Sequence, residues 1–156
     1  MAVPTLASQD QVIGKIIASI RKYEEYPSYY KPISPLILRC GRPWYIGERT
    51  FAGRRARRKQ CYMNSYSLVD RNPEMIYVEG WCSNEIIFPH AWCIDAEGQV
   101  IDPTLREADG YYGIPFQWKY VQATASRTMV YGIISNTDSD LLTAPAETFI
   151  HDIARS

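Results

Sequence analysis

Between Cys61 and Asp102 the apolar period of the chain changes from 3.6 to 2, and that change limits the folds open to it. From Cys61 onward, Tyr62, Tyr66 and Val69 share one helical stripe, which must end by Asn72 because Pro73 biases the preceding residue out of helical geometry. Residues 75–81 and 90–94 then alternate as strands, with Ser83, Asn84 and Glu85 as the turn between them. Asp95, Ala96, Glu97 and Gly98 read as a type I turn with Gly98 in the left-handed position. The chain returns through 99–102 until Pro103 stops the ladder. A helix followed by hairpins predicts an α+β domain in which helices come first and pack on an antiparallel sheet.

The flanking segments extend this frame. Ser8 with Gln11 forms a capping box, and Val12, Ile16, Ile20 and Tyr23 follow at helical spacing, predicting a helix over 9–24 with Lys15, Arg21 and Lys22 in solvent. Pro27, Pro32 and Pro35 predict an extended connection over 26–35. The apolar run 36–38 is too short to classify, and Gly41, Arg42 and Pro43 mark a turn. Residues 110–116 read as irregular, with rings that fill the core or line a cleft. Residues 117–123 and 128–134 read as two antiparallel strands joined at Ser126 and Arg127, Asn136 to Asp138 as a capped helical turn, and 145–154 as a terminal helix. With 156 residues and no internal repeat, one domain over 1–156 is expected, its core at about 36–135.

Charge and cysteine usage narrow the function classes. Lys plus Arg and Asp plus Glu stand at 17 each, so no global field favours nucleic acid or a membrane. The local exception is the run Arg54, Arg55, Arg57, Arg58 and Lys59 directly before Gln60 and Cys61. It reads as a solvated loop, as a patch for an anionic partner, or as a positive field beside a thiolate. The four cysteines are well spaced and the first residues lack a basic then apolar leader, which predicts reduced thiols and a cytoplasmic protein. No apolar run approaches the roughly 20 residues of a membrane span.

The residues that carry chemistry are Cys61, His90 and Asp102. Cys61 in the first turn of a helix meets free backbone donors and a partial positive charge, both of which favour a thiolate. His90 suits the role of base, and a carboxylate on its other ring nitrogen would fix its tautomer. Side chains alternate along a strand, so Asp95 points away from His90. If 95 pairs with 99, then 92 faces 102, and Asp102 stands on the face of His90 one diagonal step away; a slip of one residue would undo this. His151 reads as a surface residue of the terminal helix. Cys82 and Cys93 read as small buried hydrophobes, and Cys40 has no local partner. A zinc site from Cys61, Cys82, His90 and Cys93 is disfavoured, because there is no C-x-x-C knuckle and His90 and Cys93 lie on opposite strand faces. No cofactor is expected.

Cys61-Tyr62-Met63-Asn64-Ser65, His90-Ala91-Trp92, Val100-Ile101-Asp102-Pro103-Thr104 and the segments around 77–81 and 112–116 resemble the papain-like superfamily. The likeness is to its branch of transglutaminase-like, arylamine acetyltransferase-like and NlpC/P60-like thiol enzymes, and to short bacterial and phage proteins. The resemblance implies nucleophile, base and orienter roles for Cys61, His90 and Asp102. It implies a hydrolase acting through a thioester on a protein, peptide, amide or thioester substrate. A thiol acyltransferase shares every residue with that reading. A third reading keeps the fold without catalysis, as a phage-type binding or inhibitory protein that uses the basic run. Papain-like peptidases carry an oxyanion glutamine several residues before the cysteine, a place that here falls in the arginine run. Gln60, Asn64, Tyr45 and Trp44 are candidates for the second oxyanion donor, and Trp92 for a substrate contact.

Overall fold

A computed structural model of the chain describes residues 2–53 and 56–152. Helix α1 (Leu6–Lys22) opens the fold, followed by helix α2 (Ser34–Cys40), strand β1 (Arg42–Trp44) and helix α3 (Cys61–Arg71). Strands β2 (Ile76–Asn84), β3 (Ile86–Ile94), β4 (Val100–Ile101) and β5 (Gly110–Phe116) come next, then helices α4 (Trp118–Thr128) and α5 (Ala146–Phe149). The arrangement is α+β, as expected. None of the described helices is long and apolar enough to cross a membrane.

The strands lie in the order β1-β5-β2-β3-β4, every neighbouring pair antiparallel. Just past β1, Tyr45 bridges Gln99 in parallel and its carbonyl accepts from the Val100 amide at 3.2 Å. The outermost strands therefore approach each other, and the sheet curls into a half-barrel. Its convex face carries Tyr77, Trp81, Cys93 and Ile114 against Ile16 of α1, Ile37 of α2 and Val69 of α3. Its concave face holds a second apolar cluster that includes Val78, Trp92, Val100 and Tyr111 with Trp44 and Ile46. The strands are apolar on both faces because both are covered, which is why their sequence alternation is weak.

Close approach of strands is local and specific. Gly80 of β2 lies across from both His90 and Gly113. A Cβ at Gly80 would collide with the Tyr112 carbonyl oxygen and the Gly113 Cα, so this crossing accepts only glycine.

Several sequence expectations are corrected. Helix α1 begins earlier than residue 9, because Thr5 rather than Ser8 is the cap: its hydroxyl accepts from the Ser8 amide at 3.1 Å. Pro35 does not hold its segment extended but sits in the first turn of α2, where its missing N–H costs nothing. Residues 110–116 are a fully buried strand, not an irregular segment. The Pro115 carbonyl accepts from His151 at the edge beyond β1, so the proline nitrogen faces a position where no ladder bond is required.

The two strands expected over 117–123 and 128–134 are absent. Residues 118–128 form α4, in which Trp118, Val121 and Thr124 recur at helical spacing, and Met129 closes the helix in left-handed geometry at φ 61°. Short apolar runs fit either period, and packing decides between them. The terminal helix shrinks to Ala146–Phe149, after which Ile150 bridges Phe116; residues 153 and 154 of the expected helix lie outside the described residues. His151 thus sits half-buried on an extended segment, not on a helix surface. The core also reaches beyond 36–135, to Ile13, Ile16 and Ile20 of α1 and Phe149 of α5.

Candidate active site

The hairpin that sets the site has the register read from its turn. Cys93 pairs with Ile101 and Ile94 with Val100, the Asp95 amide bonds the Gln99 carbonyl at 3.0 Å, and Gly98 takes φ 79°. Asp102 therefore follows β4 on the concave side. Its amide bonds the Thr50 carbonyl at 3.0 Å, which fixes its backbone beside the loop that leads to α3.

His90 Nε2 and Asp102 Oδ2 are 2.8 Å apart. The same oxygen accepts from the Tyr111 hydroxyl at 2.7 Å. The other carboxylate oxygen accepts from the Thr104 and Leu105 amides at 2.9 and 3.0 Å. With four donors on two oxygens, a carboxylate that is 4% exposed is satisfied in its ionised form. Burial alone would raise its pKa, but the His90 charge, the His90 hydrogen bond and the two backbone amides outweigh it, and the net shift is downward.

His90 is 2% exposed and ringed by Phe88, Trp92 and Tyr111, with the Trp92 ring nearly parallel to it at 6.1 Å between centroids. Burial pulls the imidazole pKa down. The Asp102 charge and hydrogen bond, then a hydrogen bond and charge from Cys61, push it up to about 9. Cys61 is thus the second ionisable group acting on the imidazole.

The start of α3 explains how Cys61 arrives there. Lys59 turns the chain with φ 60°, Gln60 stands at the cap position without a side-chain capping bond, and Cys61 is the first helical residue. The first bond of the helix runs from the Asn64 amide to the Gln60 carbonyl at 2.9 Å, so the amides of residues 61–63 have no carbonyl to bond within the helix. Cys61 is half-buried.

Asn64 is 4% exposed, and its amide donates to the Arg57 carbonyl and to the Thr104 hydroxyl at 2.6 and 3.0 Å. Together with the Ala56 amide on the Pro103 carbonyl at 3.0 Å, this ties the helix start to the segment after Asp102. Both amide hydrogens of Asn64 are committed, so it positions the helix rather than contacting an oxyanion.

The other proposed donors fare unevenly. Trp92 is fully buried and packs on His90 from within, which removes it as a substrate contact. The Tyr45 hydroxyl is held by Asp10 at 2.7 Å, and the Trp44 indole N–H by the Gly113 carbonyl at 3.1 Å. Gln60, half-buried and directly before Cys61 in the chain, has no side-chain capping bond that would occupy it. In the basic run Arg57, Arg58 and Lys59 are exposed, as a solvated loop would be, while Arg54 and Arg55 lie outside the described residues.

Cys82 and Cys93 are fully buried and their thiol pKa values rise by burial; Cys93 points to α3, donating to the Ser65 carbonyl at 3.4 Å, away from the face of His90. A cleft of about 1270 Å³ opens beside Cys40, Met75, Phe116 and His151, where β2 begins and β5 ends, whereas His90 lies further along the sheet.

Two residues were missed by sequence reasoning. Tyr111 was hidden because 110–116 did not read as a strand; once it does, alternation puts Tyr111 with Gly113 on the concave face. Glu79, 1% exposed, accepts from the Tyr77 hydroxyl at 2.7 Å and from the Ile133 and Ile134 amides at 3.0 and 2.9 Å, clasping the segment after α4 to β2. Its only sequence signal is a charge at a core-facing position of a strand.

Set against family models, curated proteins and solved structures, the chain matches none of them.

Proposed function

We propose that the chain is a cysteine hydrolase of papain-like type, in which Cys61 attacks a carbonyl carbon of an amide, isopeptide or thioester. The single observation that carries the reading is the imidazole of His90, bonded through Nε2 to Asp102 at 2.8 Å and acted on by Cys61. With its pKa near 9, raised chiefly by Asp102, His90 holds a proton at neutral pH, and attack then takes the thiolate form of Cys61 beside that imidazolium. The Sγ–C bond forms, the carbonyl oxygen gains charge beside the Cys61 amide, and His90 passes its proton to the leaving nitrogen or sulfur. The thioester then takes a water, one proton of which returns to His90, releasing the acid and the Cys61 thiolate. If an amine replaces water, the same residues perform acyl transfer.

Incubation with p-nitrophenyl acetate tests the reading. Intact-mass analysis and peptide mapping are expected to place an acetyl group on Cys61 that water or added amine removes. The Cys61→Ala and His90→Ala proteins should not be acylated at that peptide. Acetylation distributed over Cys40 and surface lysines, unchanged in Cys61→Ala, would refute it.

A further inference from the structure

We propose that Tyr111 is a positioning residue of this site, whose hydroxyl shares Asp102 Oδ2 with His90 and thereby sets how tightly the carboxylate holds the imidazole. The assignment rests on the cysteine hydrolase reading above. Its basis is geometric. Oδ1 of Asp102 is saturated by the Thr104 and Leu105 amides, so that end of the carboxylate is fixed by backbone. Oδ2 receives two donors, His90 at 2.8 Å and Tyr111 at 2.7 Å, and both are buried. Two donors on one oxygen divide its charge, and each weakens the hold of the other.

Tyr111 comes from β5, a different strand from either catalytic partner, and its ring is packed at 4.9 Å from Trp92 and 6.4 Å from His90 between centroids. The phenol is therefore delivered to Oδ2 by packing that does not depend on the hydrogen bond. Cys61 of α3 and Cys82 of β2 are the other titratable groups facing this cluster, with Asp109 acting on Cys82, while Cys93 of β3 lies on the opposite strand face and feels Asp102 only through its charge. Burial raises Cys82 and Cys93, which keeps both neutral, so neither competes with Asp102 for His90.

Tyr111→Phe removes one donor and leaves the ring. Asp102 then concentrates its charge on His90, and the imidazole titration midpoint rises by roughly half to one pH unit. The chain has two histidines, so the His90 resonance is followed by NMR in a His151→Gln background. Iodoacetamide labelling of Cys61 is measured on the same samples. A raised midpoint with Cys61 still the fastest thiol supports the proposal. An unchanged midpoint with fast Cys61 labelling overturns it while sparing the hydrolase reading, because a hydroxyl that only fills space affects stability and not titration. A raised midpoint with Cys61 no faster than the other thiols, in wild type as well, overturns the hydrolase reading and with it the role given to Tyr111. Should Tyr111→Phe not fold, the wild-type chain supplies the readout: the buried Tyr111 hydroxyl proton must shift as His90 titrates, and a proton indifferent to that titration rejects the proposal.

Discussion

His90 and Asp102 stand twelve residues apart in the chain and 2.8 Å apart in space. A hairpin of fixed register accounts for the closeness: its turn places Cys93 opposite Ile101, and Asp102 leaves the ladder one residue later, beside the strand that carries His90. The pair is buried, so its electrostatics are strong and any change to one member is felt by the other.

Asp102→Asn separates charge from shape. The amide oxygen keeps the Thr104 and Leu105 bonds, while its nitrogen now faces His90 Nε2 and forces that nitrogen to accept. The proton moves to Nδ1, the imidazole loses its charge at neutral pH, and the proposed proton transfer to a leaving group is no longer available from it. Acylation of Cys61 by p-nitrophenyl acetate should fall roughly 10²–10⁴-fold, and the thermal midpoint should fall as well, because the buried charge pair and the acceptor of the Tyr111 hydroxyl are both lost. Acylation within a factor of two of wild type would mean that Asp102 is not the orienter.

The same pair makes stability depend on pH with a defined sign. The His90 pKa is raised from 6.5 to about 9 on folding, so its contribution is whole below pH 6.5 and is lost as pH climbs through 9. Asp102 is lowered from 3.8, so its contribution is present above pH 3.8 and is lost as pH falls through the depressed value. Guanidinium unfolding should therefore show a loss of roughly 2–4 kcal/mol between pH 6.5 and 9.5 that His90→Gln lacks. A wild-type slope equal to that of the variant over this range would contradict the raised His90.

Glu79→Ala leaves the Ile133 and Ile134 amides without an acceptor in a buried place, costing about 2–4 kcal/mol. Hydrogen exchange at those two amides should accelerate far more than at Val78 in the neighbouring ladder, because the carboxylate is what secures the segment after α4. Uniform acceleration across the sheet would show a global effect instead of a local clasp.

The legible parts of this fold were those specified by local chemistry. Pro73 ends α3, Gly98 makes the turn, and that turn dictates the register that brings Asp102 to His90. Each is a steric requirement confined to a few residues. What was hidden depends on distant neighbours. Residues 118–128 satisfy a strand period as readily as a helix period, and only packing against β2 and α5 selects the helix. Residues 110–116 read as irregular because both faces of β5 are buried, which erases alternation, and because Pro115 finds a position that needs no donor. Glu79 and Tyr111 could be assigned only after these segments were placed, since their partners lie 54 and nine residues away across the sheet.

The most direct measurement for Cys61 as an activated nucleophile is competitive iodoacetamide labelling across pH, read by peptide mapping. Cys40 and Cys61 are both half-buried, so exposure alone would label them at similar rates. The account predicts that Cys61 reacts at least tenfold faster than Cys40, Cys82 and Cys93 at neutral pH, and that His90→Ala abolishes the difference. Equal labelling of Cys61 and Cys40 at every pH, or a Cys61 preference that survives His90→Ala, would contradict it.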